Sequence, residues 1–333
     1  MIRVGINGYG RIGRAFHRQS LFDPNVEVVA INSRAGADSH AYLLKHDSMY
    51  GNLDQDIQVN KKGFTVNGNQ VLVSGESDPS NIPWGEAEVD VVVEATGRFR
   101  KHDLASAHLK AGAKKVVLTA PSKDDKVATF VMGVNHENYN HEDKIVSNAS
   151  CTTNALAPTM KVLNDMFGVE SGIVTTVHAI TSSQNILDNS NASDFRRARS
   201  LLDSIIPTTT GAMKAIGLVI PELKGKVEGM AFRVPVPSVS VLDMTIVLNK
   251  DVTVDEVNEA FLQVEQEDLQ GILGTSEEPL VSIDFRKDTR SGIVDLPNTR
   301  VVNKRMVQLV VWYDNEWGYS ARLNDLAEWI MRD

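Results

Sequence analysis

Gly8-Tyr9-Gly10-Arg11-Ile12-Gly13 reads GxGxxG, directly after the β-rich run Ile2–Asn7 and directly before the helically spaced residues from Ile12 to Phe22. With 23 glycines in the chain, the string alone is weak. A strand before it and a helix after it make it strong. In that setting the glycines permit a tight turn, close backbone approach to a pyrophosphate and close helix–strand packing. Gly8, Gly10, Arg11, Ile12 and Gly13 are therefore candidate dinucleotide contacts, and the chain is constrained to begin with a βαβ unit.

The next segments agree. Val26–Asn32 is nearly all apolar, as expected of a strand buried on both faces, and residues 89–95 (VDVVVEA) repeat the signature. Asp103 is the expected N-cap of the helix LASAHLKA, which Gly112 closes before a strand from Lys114. After residue 150 the pattern changes. A helix from Thr152 to about Phe167 precedes long alternating strands from Gly172, Gly229, Val239 and Met306. The expected fold is α/β: a doubly wound Rossmann sheet over 1–150, completed by a C-terminal helix over 316–333. An α+β catalytic domain with a mixed or largely antiparallel sheet fills 151–315.

Composition narrows function. The 333 residues carry 34 basic and 43 acidic side chains, a net charge of −9, which argues against a dedicated nucleic-acid binder. The single cysteine, Cys151, rules out an intrachain disulfide and a cysteine-rich zinc site, and no metal is expected. Apolar stretches fall far short of the ~18–20 residues that span a bilayer, and the N-terminus lacks the apolar core of a signal peptide. The expected location is the cytoplasm.

A Rossmann unit that takes NAD usually carries an acid about 20 residues beyond the turn, for the ribose 2′-hydroxyl. Here Ser33 and Arg34 stand instead. A hydroxyl and a guanidinium suit a 2′-phosphate, so the pattern favours NADP or dual use. The alternative is a solvated Arg34 and NAD held less tightly.

Cys151 lies at or just before a helix N-terminus, where unpaired amides and the helix dipole favour a thiolate. His178 ends the apolar run GIVTTVH. A thiolate–imidazolium pair would lower the thiol pKa by roughly 2 units or more, about 3 kcal/mol. On spacing alone, a buried inert cysteine and an unrelated histidine account for these residues equally well.

The strings GYGRIGR, SNASCTTN, RRAR, IIPTTTGAMKA, RVPVPSVSV and WYDNEWGYS, in that order along almost the whole chain, resemble phosphorylating glyceraldehyde-3-phosphate dehydrogenases. The resemblance implies roles residue by residue. Cys151 attacks the substrate aldehyde, with His178 as general base. Thr181 and Arg233 hold the substrate's C3 phosphate. Ser150, Thr152, Thr210 and Gly211 hold the attacking phosphate, with Arg197 shared between the two. Asn315 meets the nicotinamide carboxamide, Tyr319 and Ile12 pack on its ring, and Thr96, Gly97 and Thr119 fall on further cofactor positions. It also implies a homotetramer.

Departures from the family pattern carry information. Ser33 replaces an aspartate of NAD-using members, and Asn189-Ser190 replaces Leu-Pro in a loop that reaches a neighbouring subunit's ribose, so both point to NADP. Ser183 replaces an aspartate common in bacterial relatives, and Ala155 replaces a second cysteine. The nearest alternative is erythrose-4-phosphate dehydrogenase, which tends to lose Thr181 and the TTTG loop. An alternative of another class is a non-enzymatic RNA- or surface-binding protein.

Overall fold

The computed structural model describes residues 1–182, 184–191 and 194–332, so Ser183 lies outside the described residues. The chain forms two compact units. One comprises Met1–Ser150 with Ser320–Asp333, the other Cys151–Tyr319.

The first unit is built on a nine-stranded sheet. Its order is Ala128–Thr129, Ile145–Ser147, Lys115–Leu118, Val91–Glu94, Ile2–Asn7, Val26–Asn32, Asn69–Ser74, Gly63–Val66, Ile57–Asn60. The first seven strands run parallel and the last two close as antiparallel hairpins. The chain leaves Ile2–Asn7 for Val26–Asn32 on one side and reaches Val91–Glu94 on the other. That reversal opens a crevice at the strands' C-terminal ends, the usual ligand position in an open α/β sheet. Ile6, Ile31, Val92 and Val93 are completely buried, which explains the unbroken apolar runs.

The Arg11–Ser20 helix starts one residue earlier than its periodicity suggests. The next helix in the reading, His102–Lys110, is capped by Lys101 rather than by Asp103, which sits inside the first turn. An acid there still complements the helix dipole, so the residue type is right and the position is two off. Gly112, at φ +107, closes that helix as expected. The last helix, Trp317–Met331, returns to the first unit, where the Ile330 carbonyl accepts from Lys115 Nζ and Glu328 accepts from Asn25 at 3.1 Å.

The second unit carries an eight-stranded sheet, in which Val169–His178 lies parallel to Val227–Arg233 and antiparallel to Ser240–Leu248. The sheet is therefore mixed. Met306–Tyr313 continues it antiparallel to Ser240–Leu248. The Cys151–Phe167 helix packs across Ser240–Leu248 and Gly292–Asp295, and Leu156, Met160 and Leu163 are wholly buried. No helix is long and apolar enough to cross a membrane among the described residues.

Candidate active site and dinucleotide cleft

In the second unit, alternation decides which strand residues face inward. Val174, Thr176 and His178 are buried on one face of their strand. Parallel pairing then puts His178 directly opposite Arg233, each the last residue of its strand. Cys151 is the first residue of its helix and half-buried. Its Sγ stands 3.5 Å from His178 Nε2. The pair that spacing left open is thus in contact.

His178 Nδ1 lies 2.7 Å from the Ala179 carbonyl oxygen and 2.5 Å from Arg233 Nη1. The first contact needs a proton on Nδ1 and the second a lone pair, so a single neutral tautomer satisfies only one of them. With the proton on Nδ1, the ring donates to Ala179, and Nε2 offers its lone pair to the thiol. Arg233 Nη1 retains the Ala179 carbonyl at 3.2 Å in that state.

Side chains that sequence reasoning missed hold this arrangement. The Tyr313 hydroxyl bridges Thr152 Oγ1 at 3.1 Å and Thr176 Oγ1 at 2.7 Å, tying the start of the Cys151 helix to the His178 strand. The Ala179 amide donates to Ser240 Oγ at 3.0 Å, and Ser240 donates to Asn315 Oδ1 at 3.0 Å. Both Thr181 groups, amide and hydroxyl, donate to Gln184 Oε1. Tyr313 is visible in the WYDNEWGYS string, but nothing local to it names partners 161 and 137 residues away.

The electrostatics correct one expectation. Burial pushes the Cys151 thiol up rather than down, although Arg233 and hydrogen bonding with Thr152 pull the other way. Burial, reinforced by the Arg233 charge, pushes His178 down to about 3, against the Ala179 carbonyl. Both shifts favour the uncharged forms, a thiol and a neutral imidazole. A helix N-terminus and a positive neighbour do not compensate the desolvation of two charges here.

Arg233 is itself lowered by burial first, with Arg197 adding like-charge repulsion, and its Nε finds no hydrogen-bond partner among the described residues. Two guanidinium groups close enough to repel, one incompletely satisfied, suit an anion. Thr210 Oγ1 accepts from the Ala212 amide at 3.2 Å, and Gly211 caps the Ala212–Val219 helix. Tyr319 and Asn315 are buried, whereas Ser190 is exposed.

The first unit has its own cleft of about 340 Å³, whose walls include Gly8, Gly10, Ser33, Arg34 and Thr96. A Cβ on Gly8, at φ +96, would fall 2.8 Å from the Thr96 nitrogen, and one on Gly13 would fall 2.5 Å from the Gly8 oxygen. A Cβ on Gly10 would meet nothing within 4 Å, so that position opens outward. The Arg11–Ser20 helix has neither a side-chain cap nor an acid in its first turn, leaving amides for a pyrophosphate. These features fit a dinucleotide. The Arg11 guanidinium is paired with Asp47 and lies over the Tyr50 ring. Arg11, Ile12, Gly13, Gly97, Thr119 and Ser150 lie outside this cleft's walls. No cluster of potential metal ligands occurs among the described residues.

Residues 2–102 match the family description "Glyceraldehyde 3-phosphate dehydrogenase, NAD binding domain", and residues 150–315 match "Glyceraldehyde 3-phosphate dehydrogenase, C-terminal domain". The first match makes the cofactor a nicotinamide dinucleotide. Among curated proteins, the glyceraldehyde-3-phosphate dehydrogenase of Geobacillus stearothermophilus is 52% identical over 330 residues, covering 99% of this chain and 98% of the relative. Glyceraldehyde-3-phosphate dehydrogenase 3 of Saccharomyces cerevisiae is 47% identical over 333 residues, covering 100% of both. The chain belongs to the glyceraldehyde-3-phosphate dehydrogenase family.

Proposed function

We propose that the protein is a phosphorylating glyceraldehyde-3-phosphate dehydrogenase that prefers NADP or uses both dinucleotides. The observation that carries the reading is the Cys151–His178 contact at 3.5 Å beside Arg233.

In this reading Cys151 Sγ attacks the aldehyde carbon of glyceraldehyde 3-phosphate while its proton passes to His178 Nε2. The Ala179 carbonyl holds the ring with Nδ1 protonated, which leaves Nε2 as the base. The product is a thiohemiacetal on Sγ in its oxyanion form, with the thiol proton held by His178 for release to solvent, so that loss of hydride alone completes the thioester. When bound, the nicotinamide supplies the acceptor for the hydride whose loss makes that carbon a thioester. Sγ then carries the acyl group until inorganic phosphate displaces it as 1,3-bisphosphoglycerate. Arg233, with Thr181, takes the C3 phosphate. Ser150, Thr152, Thr210 and Gly211 take the attacking phosphate, with Arg197 between them. Asn315 and Tyr319, with Ile12, Thr96, Gly97 and Thr119, complete the cofactor contacts. A cytoplasmic homotetramer belongs to the same reading.

Thr181 and the TTTG loop support the triose over erythrose 4-phosphate, and the intact Cys151–His178 pair supports an enzyme over a binding protein. The test is kcat/KM with NADP and with NAD, in the presence of glyceraldehyde 3-phosphate and phosphate. Absence of turnover with both dinucleotides would overturn the function.

Cofactor preference rests on Ser33 and Arg34, which line the cleft together with Glu76. A kcat/KM ratio of about ten or more in favour of NADP, about 1.4 kcal/mol, is expected. Ser33→Asp should reverse it, because its carboxylate repels a 2′-phosphate and accepts from a 2′-hydroxyl. A parental protein that favours NAD would sink the NADP assignment while leaving the chemistry intact.

A further inference from the structure

Along the C-terminal edge of the first unit's sheet, three parallel strands end in register on polar residues. Asn7 pairs with Asn32 on one side and with Glu94 on the other. Asn32, Asn7 and Glu94 are at most 5% exposed, yet they form a continuous row. Asn32 Nδ2 donates to Asn7 Oδ1 at 2.8 Å, and Asn7 Nδ2 donates to Glu94 Oε2 at 2.6 Å. Asn7 and Asn32 both line the dinucleotide cleft, and Glu94 stands behind them.

Every contact to the Glu94 carboxylate comes from a donor. Oε2 also accepts from His108 Nε2 at 3.0 Å. Oε1 accepts from the Thr96 amide at 2.9 Å and from the Thr96 hydroxyl. His108 cannot reverse its ring, because its Nδ1 takes the Trp84 indole N–H at 3.0 Å and an indole only donates. The far end is equally fixed. Asn32 Oδ1 accepts from the Glu76 amide and Ser74 Oγ, while Asn32 Nδ2 also donates to the Glu76 carbonyl. The row therefore has one consistent direction, set by an acceptor-only group.

An amide cannot take that place. Its NH2 would face Asn7 Nδ2 and His108 Nε2–H on one side, or the Thr96 N–H on the other. Flipping Asn7 to relieve the clash would turn its NH2 onto that of Asn32. Thr96 matters most for the ligand, since its nitrogen lies where a Cβ on Gly8 would almost touch it.

We infer that Glu94 is a positioning residue for dinucleotide binding: as the acceptor at the end of the Asn32–Asn7–Glu94 row, it fixes both the cleft floor and the Thr96 turn beside Gly8. The inference rests on the reading of this cleft as the dinucleotide site. In the free protein a mismatched row relaxes by shifting Asn7 or the turn. Binding must then restore the original geometry, and affinity falls by that cost.

The experiment titrates NAD+ calorimetrically into the full chain and into Glu94→Gln, alongside the Tm without dinucleotide and kcat at saturation. Glu94→Gln should raise Kd about tenfold and leave kcat within about twofold. A lowered Tm with Kd within about twofold of the parent would overturn the inference, since Glu94 would then only hold the sheet edge. If Glu94→Gln does not fold, His108→Leu is read instead, because His108 does not line the cleft and reaches it through its bond to Glu94 and its edge-on contact with the Phe99 ring, which leucine keeps as an apolar contact. His108→Leu should weaken Kd about threefold, and His108→Gln, which keeps both a donor and an acceptor, should restore it. Unchanged affinity in His108→Leu would likewise overturn it. A parental chain that binds neither NAD+ nor NADP+ in the same titration would overturn the cleft reading itself, and the inference with it.

Discussion

Cys151→Ala should abolish turnover of glyceraldehyde 3-phosphate, by about 10⁴-fold or more, while NAD+ binding stays within about twofold. The size of the effect follows from covalency. Without Sγ there is no thiohemiacetal, so no carbon is poised to lose hydride, and the remaining hydroxyls are poor nucleophiles. No second thiol can substitute, because the sequence has one cysteine and Ala155 occupies the next turn of the same helix. Cys151 is half-buried, so a smaller side chain leaves little cavity and the fold should persist. Pre-steady-state NADPH or NADH formation in a stopped-flow instrument makes the check direct. A burst that survives in Cys151→Ala would place the nucleophile elsewhere.

His178→Asn should lower kcat about 10²–10⁴-fold, the usual contribution of a positioned general base. Its pH profile is more informative than its size. Burial raises the thiol and lowers His178 to about 3, so at neutral pH the parent holds its proton on sulfur, with an empty base 3.5 Å away. Proton transfer within the pair then needs no hydroxide. In His178→Asn the thiolate must come from solvent. Below the raised thiol pKa its fraction grows tenfold per pH unit, and residual activity should climb with the same slope. The parent should respond far less steeply between pH 6 and 9, as approximate bounds. Equal slopes in the two proteins would show that His178 does not take the proton.

How much of this was legible depends on where the determining physics resides. The strands Ile2–Asn7 and Val26–Asn32 have the same bounds in the reading and in the structure, because burial on both faces writes an unbroken apolar run. Ile57–Asn60 gives no such signal: three of its four residues are exposed, and its one hairpin partner, Gly63–Val66, is set by the turn between them. The Cys151–His178 contact was invisible to spacing, being a product of one helix start and one strand end 27 residues apart. Only the family strings singled it out. The raised thiol pKa was missed for a different reason. A helix N-terminus is a local feature that sequence can display, whereas desolvation depends on everything packed around the sulfur. The Glu94 row was legible as residue types at strand ends, but its direction emerges only from which atom faces which.

The return of Trp317–Met331 to the first unit has a consequence for synthesis. The Asn25–Glu328 contact joins residues 303 positions apart, and Lys115 finds its Ile330 acceptor across 215. Domains commonly fold as they leave the ribosome, N-terminal part first. Here the dinucleotide unit still lacks its last helix when residue 150 emerges, because that helix is yet to be translated. The intervening residues 151–319 have their own sheet and core, so they can mature first. A released chain truncated after residue 319 should thus show a protease-resistant middle and a more vulnerable beginning.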